Sequence, residues 1–309
     1  MDAAVFGLIV ADLIASPMDL RNPPEPGGLS VLKTLELTTG GNVCNTGIAL
    51  AKLGMNAAAA GMVGNDVLGQ ALVDRMNAAG VDTSVVFKSD QAQTSATVVA
   101  VEPGGERVFF HTPGTTTLLD AAVFRKCFAL FKKCAYVQVG YFGLLPALTP
   151  ELPGVLKELR AFAPAVKIAL DTVNPPADRK LLDPILPLID VFAPSRTEAA
   201  ALTGQRDPQK MVAAFRKLMP AALIGIKLDA EGCLLDDGKH QVIVPAYKIK
   251  VVDTTGAGDT WFAGLITGLR KRMTLEQTAK LANRAAADCC TALGASAGVR
   301  SFEETMARL

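Results

Sequence analysis

Histidine is nearly missing from this sequence, which holds 2, and its 6 cysteines (Cys44, Cys127, Cys134, Cys233, Cys289, Cys290) form neither a C-x-x-C pair nor a dense disulfide pattern. That combination argues against a His/Cys zinc site. An excess of either charge is missing too. Lys and Arg number 31 against 30 Asp and Glu, which leaves no global field to hold nucleic acid or an anionic membrane. Although hydrophobic residues make up 50%, no uninterrupted apolar run is long enough to span a bilayer. The start, Met-Asp-Ala-Ala-Val-Phe, lacks a basic segment and a cleavage site after an apolar core, so a cytoplasmic protein with a small-molecule partner is expected. Two phosphate-binding signatures are also absent: a Gly-x-x-x-x-Gly-Lys-Ser/Thr loop, and a Gly-x-Gly-x-x-Gly after an early strand with an acidic residue about twenty positions on.

What is present centres on residues 253–259, Asp-Thr-Thr-Gly-Ala-Gly-Asp. A strand-like run at 249–252 precedes them, and apolar residues at helical spacing follow from Thr260. A strand, a glycine turn and a helix start are therefore predicted. Gly256 and Gly258 permit close backbone approach, and the first helical amides, with Ala257 among them, suit an anion such as phosphate. Asp259 would repel that anion unless it serves the reaction, for example by accepting the proton of an attacking hydroxyl. A carboxylate near its ordinary pKa of about 3.9, lowered further by the helix dipole, would be ionised for that task. A plain glycine turn with a dipole-favouring Asp remains the alternative.

Residues 3–10 read as a buried strand delivering Asp12 at its carboxyl end, where open α/β sheets bind ligands, although Asp12 alone could be a turn residue. Gly40-Gly41-Asn42-Val43-Cys44-Asn45 opens a helix that closes at Gly54; its asparagines are caps or a hydroxyl-binding surface. Helices are expected over 66–79, from the Thr149-Pro150 pair to 162, and over 279–293, with strands at 166–170 and 223–228. Such alternation predicts a mostly parallel sheet with helices on both faces. Residues 94–101 and 107–111, joined by Glu102-Pro-Gly-Gly-Glu106, are instead strands without an intervening helix, and with 35–38 they predict a small separate sheet. His111 there could touch substrate or simply pack. Ser195 and Glu198 have capping-box spacing.

The heptad at 253–259 resembles the second signature of the ribokinase-like (PfkB) carbohydrate kinases, and Gly40-Gly41, Asn45, Leu53-Gly54 and Gly61-Met-Val-Gly64-Asn-Asp66 resemble the first. The resemblance implies one domain over 1–309. It would be a three-layer αβα sandwich with a mostly parallel central sheet and a small β-sheet lid, the lid strands coming from about 13–38 and 92–112. It further implies transfer of phosphate from ATP to a hydroxyl, primary in most relatives, with Asp259 as base, Gly256, Ala257 and Gly258 as anion hole, and Asp12, Gly40, Gly41, Asn42, Asn45 and His111 on the substrate. Ser195, Glu198, Lys227, Asp229, Gly232 and Asn283 would meet the nucleotide. Glu198 would hold water around magnesium, with Ser195 replacing the Asn of the family's Asn-x-x-Glu, and Asp229 stands where the family has a glycine. Asp253, Thr255 and Gly294 correspond to a potassium site of many relatives. A homodimer through the lid is possible.

The acceptor is less defined. Val10, Asn42 and Gly140 depart from ribose-specific members, so a sugar other than ribose, or a sugar derivative, is expected; Phe109, Tyr141 and Phe142 could stack on a nucleoside base, and Arg107 could pair with a substrate carboxylate. The alternatives are a nucleoside kinase of this fold and a non-catalytic sugar- or nucleotide-binding sensor. Asp259 argues against the sensor, which would need no base among phosphates.

Overall fold

The apolar run over residues 3–10 is broken by Gly7, whose φ of +149° favours glycine and where a Cβ would lie 2.4 Å from the Asn42 side-chain oxygen. β1 (Ala3–Phe6) ends before this bend, and β2 (Val10–Ser16) belongs to a different sheet. Asp12 therefore sits inside a strand of the smaller sheet and not at the end of a core strand. The computed structural model describes residues 1–173 and 179–309.

β3 (Thr34–Gly40) runs into α1 (Gly41–Lys52), followed by β4 (Ala57–Gly64), α2 (Val67–Ala78) and β5 (Asp82–Ser89). β6 (Ser95–Val101) and β7 (Arg107–Thr112) form the hairpin expected around 102–106. Next come α3 (Ala121–Lys126), α4 (Phe128–Phe131), β8 (Tyr136–Val139), α5 (Leu152–Phe162), β9 (Lys167–Leu170), β10 (Val191–Phe192), α6 (Arg196–Thr203), α7 (Pro208–Arg216) and β11 (Leu223–Lys227). The chain closes with the hairpin β12 (Cys233–Asp236) and β13 (Gln241–Val244), then α8 (Ala257–Arg270), α9 (Leu275–Cys289) and α10 (Phe302–Met306).

Among the described residues the large sheet runs β13-β12-β11-β10-β9-β8-β1-β4-β5. All its pairings are parallel except those of β12, whose hairpin forms an antiparallel edge. Strand order reverses at β1, the switch point where such sheets open a crevice. One face buries Phe124, Phe131, Leu156 and Phe215 from α3, α4, α5 and α7; the other buries Leu50, Leu72, Phe262 and Leu265 from α1, α2 and α8. Burial of each such side chain contributes about 1.5–3 kcal/mol. The layers match the predicted αβα sandwich.

The second sheet has the order β3-β2-β6-β7 and is called the lid below. Asp66 ties it to the core: it caps α2 through the Gly69 amide at 2.8 Å and also accepts from the Thr94 amide at 2.7 Å, just before β6.

Three local expectations shift. Residues 249–252 form no strand, because the chain there passes over the end of α9, with the Val252 amide donating to the Cys290 carbonyl at 2.9 Å. Thr149 does not cap α5, since its hydroxyl donates to the carbonyls of Phe142 and Leu145 and Glu151 holds the cap position. The last long helix ends at Cys289, four residues before Leu293.

Candidate active site

The carboxyl edge of the parallel strands gathers most of the chemistry. Tyr141 follows β8, Asp171 and Thr172 follow β9, Ser195 follows β10 and Lys227 ends β11. With the loop before α8 they line a cleft of about 980 Å³ that also includes Glu198, Asp229, Gly232, Asp259 and Asn283.

Asp259, in the first turn of α8, is 3% exposed. Its Oδ2 accepts from Asn45 Nδ2 at 2.9 Å and from the Tyr141 hydroxyl at 2.8 Å, while its Oδ1 is buried with no hydrogen-bond partner among the described residues. Burial pushes its pKa up, against the opposing effects of Asn45, Tyr141 and Lys227. This corrects the expectation of a lowered value: loss of water outweighs the helix dipole. Burial and the Asp259 charge also raise the Tyr141 phenol well above its ordinary value, so it remains a donor. Tyr141 holds φ +56°, uncommon for a non-glycine residue, and carries a role that the sequence did not reveal.

Gly256 caps α8 with φ +73°, and a Cβ there would lie 2.6 Å from Ala295. The Ala257 amide already donates to the Thr254 carbonyl at 3.2 Å, so it closes the turn. An anion is left with the next amides, Gly258 and Asp259, which helix geometry leaves without intrahelical acceptors. Lys227 Nζ lies 3.7 Å from the place of a Gly258 Cβ and donates to Asp171 Oδ1 at 2.8 Å. Burial alone would lower the Lys227 pKa, but Asp171, Glu198 and Asp259 raise it and keep the ammonium charged. Burial pushes Asp171 up to about 7 despite Lys227.

Ser195 and Glu198 make the expected capping box, and Glu198 Oε2 also accepts from the Thr172 hydroxyl at 3.0 Å. Among the described residues no group of three or more His, Cys, Asp or Glu could hold a metal by itself. The single carboxylate of Glu198 at the cleft fits magnesium, which commonly keeps several waters and takes one or two carboxylates plus substrate phosphates. Gly232 (φ +105°) turns beneath the cleft, and Asp229 lines it. Asn283 also lines it, but its amide is turned inward: it accepts from Trp261 Nε1 and donates to the carbonyls of Val244 and Pro245. It braces the wall of the cleft from inside the protein.

On the acceptor side, the strand register sets Thr38, Asp12, Thr97 and His111 in one row across the lid. Paired residues share a face. Thr97 Oγ1 lies 3.0 Å from His111 Nδ1, and strand pairing sets Thr97 directly beside Asp12. Burial pushes Asp12 up to about 6, with Thr97 opposing. Thr38 and Thr97 were missed from sequence, although their period-two alternation with apolar neighbours was visible. Gly40 makes room for Asp12, whose Oδ2 would be 2.2 Å from a Cβ; Gly41 (φ +79°) lets the backbone pass the Leu8 carbonyl. Asn42 is neither cap nor accessible ligand: it is 0% exposed, with Oδ1 accepting from the Leu8 amide and Nδ2 donating to the Phe6 carbonyl. It staples the bend after β1. Phe142 is fully buried in the core and cannot stack on a base.

Asp253 stands on the loop behind the anion hole. Its Oδ1 accepts from Arg107 Nη1 at 2.7 Å and from the Thr255 amide and hydroxyl; its Oδ2 accepts from the Gly294 amide at 2.9 Å. Burial would raise this carboxyl, but Arg107 and the amides hold it down at about 2. Gly294 and Thr255 thus do meet Asp253. Its oxygens are, however, already taken by donors, a guanidinium among them, so the residues present do not fit a potassium ion there. Arg107 is correspondingly engaged within the protein and not free for a substrate carboxylate.

The family model described as "pfkB family carbohydrate kinase" matches residues 2–301. The chain is 27% identical over 307 residues to a ribokinase of Haemophilus influenzae, covering 98% of this chain and 96% of that one. It is 30% identical over 272 residues to fructokinase-1 of Oryza sativa subsp. japonica, covering 83% of each. A solved structure of Arabidopsis thaliana ribokinase complexed with ribose and ATP superposes with a TM-score of 0.86 at 22% identity, over 99% of this chain and 97% of that one. A match across nearly the whole length, on a fold whose strand ends assemble this cleft, makes the chain a member of the pfkB family of carbohydrate kinases.

Proposed function

We propose that this chain is one kinase domain that transfers the γ-phosphoryl group of ATP to a hydroxyl, a primary one, of a small sugar or sugar derivative. One observation carries the reading: Asp259 is buried with Oδ2 held by two donors and Oδ1 unpartnered, the state of a carboxylate that a substrate hydroxyl completes. The lid row of Asp12, Thr97 and His111, with Asn45 beside the base, offers acceptors and donors for the remaining hydroxyls. Asn42 is outside this set.

In the transfer, the acceptor oxygen bonds to the γ-phosphorus as the bond to the ADP bridging oxygen breaks, and the hydroxyl proton passes to Asp259 Oδ1. A carboxylate with a raised pKa suits this step, because a loose transition state releases its proton late. Tyr141 and Asn45 orient the base. Lys227 and the Gly258 and Asp259 amides face the developing negative charge, which is where preorganised donors lower a barrier most. Magnesium, when bound with the nucleotide near Glu198, would neutralise phosphate charge.

ADP release measured across pentoses, hexoses, keto-deoxy sugar acids and nucleosides tests the reading. One sugar class should stimulate turnover, and Asp259→Asn should reduce kcat by about 10²–10⁴ with the fold retained. An unchanged rate would remove Asp259 from the chemistry, and stimulation by nucleosides alone would move the assignment to a nucleoside kinase. We also read the lid as the meeting face for a second copy of the chain, because its face away from Asp12 carries Leu35, Val108 and Phe110 in exposed positions.

A further inference from the structure

Arg107 is the one cationic side chain of the lid face that bears Asp12, Thr97 and His111. Strand alternation puts residues 107, 109 and 111 on that face. Its guanidinium leaves the lid to reach Asp253 Oδ1 at 2.7 Å and Thr255 Oγ1 at 3.0 Å, with the Asp253 side chain 2% exposed and the Arg107 side chain 28%. The same Asp253 oxygens receive the Thr255 and Gly294 amides. Counting the Thr255 hydroxyl, three donors crowd Oδ1 and one meets Oδ2, and the guanidinium among them brings a full positive charge to the carboxylate. Thr255 immediately precedes Gly256, the cap of α8, so the contact acts at the root of the turn that aims the Gly258 and Asp259 amides.

We propose that Arg107 is a positioning residue that serves as the built-in cation of the 253–259 loop, so that seating the lid on the acceptor sets the phosphate-binding amides and turnover needs no monovalent metal ion. A bound metal ion would report only its own concentration. A lid-borne cation reports whether the acceptor side is closed, and this ties assembly of the anion hole to the presence of sugar. The inference rests on the kinase reading above for its effect on turnover, but the claim about the loop stands on the geometry alone.

The test uses the full chain and Arg107→Lys and Arg107→Ala in potassium or choline chloride at equal ionic strength. ADP release with the best acceptor is measured alongside amide hydrogen exchange over residues 253–258. The wild-type rate should differ by less than about twofold between the salts, and Arg107→Ala should lose about tenfold or more in kcat, because small misplacements of a catalytic loop are costly. Potassium, but not choline, should restore part of that loss and slow the accelerated exchange of the loop, with Arg107→Lys intermediate. Strong potassium activation of the wild type overturns the proposal. So does an Arg107→Ala variant with wild-type turnover and exchange in choline, or one whose loss is accompanied by no change in loop exchange. If no sugar supports turnover by the wild type, the kinase reading fails, and the exchange data decide the Arg107 claim by themselves.

Discussion

Asp259 meets two opposing demands: it must be ionised to take a proton, yet its burial favours the neutral acid. The two donors on Oδ2 limit the rise. Tyr141→Phe removes one of them, and we expect kcat to fall about tenfold while the acid limb of the kcat profile moves to higher pH; an unmoved limb would reduce Tyr141 to packing. Asp12 faces the same conflict with a value of about 6. Binding of a sugar hydroxyl favours the ionised form, so kcat/KM for the acceptor should fall as pH drops through about 6, and a flat profile down to about pH 5 would count against Asp12 as a ligand. The linkage has the opposite sign for the empty protein. A carboxyl raised in the folded state contributes stability that is complete below its unfolded value and lost as pH rises through about 6. Asp259 was legible as a candidate because its motif is local, whereas Asp12 was marked only with the help of the resemblance and was expected at the end of a core strand. The role of Tyr141 was not legible, since it meets Asp259 across a separation of 118 residues and no spacing rule connects them.

The turns between elements depend on glycines for different reasons, and only some of these turns reach the cleft. At Gly232 a Cβ would lie 2.0 Å from the Val244 carbonyl oxygen with φ at +105°, so clash and backbone strain act together. At Gly80, just past α2, φ is +83° but nothing lies within 4 Å, so strain acts alone. Gly232→Ala should therefore cost about 3 kcal/mol or more and Gly80→Ala about 1 kcal/mol, measured as shifts in denaturant midpoint; equal shifts would mean that the β12 entry relaxes freely. At this scale the capping box at Ser195 and the hairpin at 102–106 were readable, because each is encoded within a few residues. The break in the first strand was not. It depends on Asn42 entering the space left by Gly7 and Gly140, three segments that meet only in the folded chain.

At the scale of the molecule, the lid is a four-stranded sheet with one polar row toward the site and an apolar outer face containing Leu13, Leu37, Val98 and Phe110. Phe110 is 52% exposed and Leu35 69%. If this face meets a second copy, sedimentation at micromolar protein should give a dimer and Phe110→Lys with Leu35→Lys should give a monomer; a wild-type monomer would reject that reading. Composition and period alone determined much about this protein: an α/β chain of alternating strands and helices, a small separate sheet, and a glycine loop at a helix start with an acid beside it. These follow from local rules, since propensity, capping and alternation act over a few residues. Tertiary structure alone decided that Asp12 belongs to the lid, that Asn42 and Asn283 are braces, that Asp259 is raised and not lowered, and that Arg107 supplies the charge at Asp253. Each of these depends on burial or on partners far apart in sequence, and desolvation and pairing are properties of the packed chain.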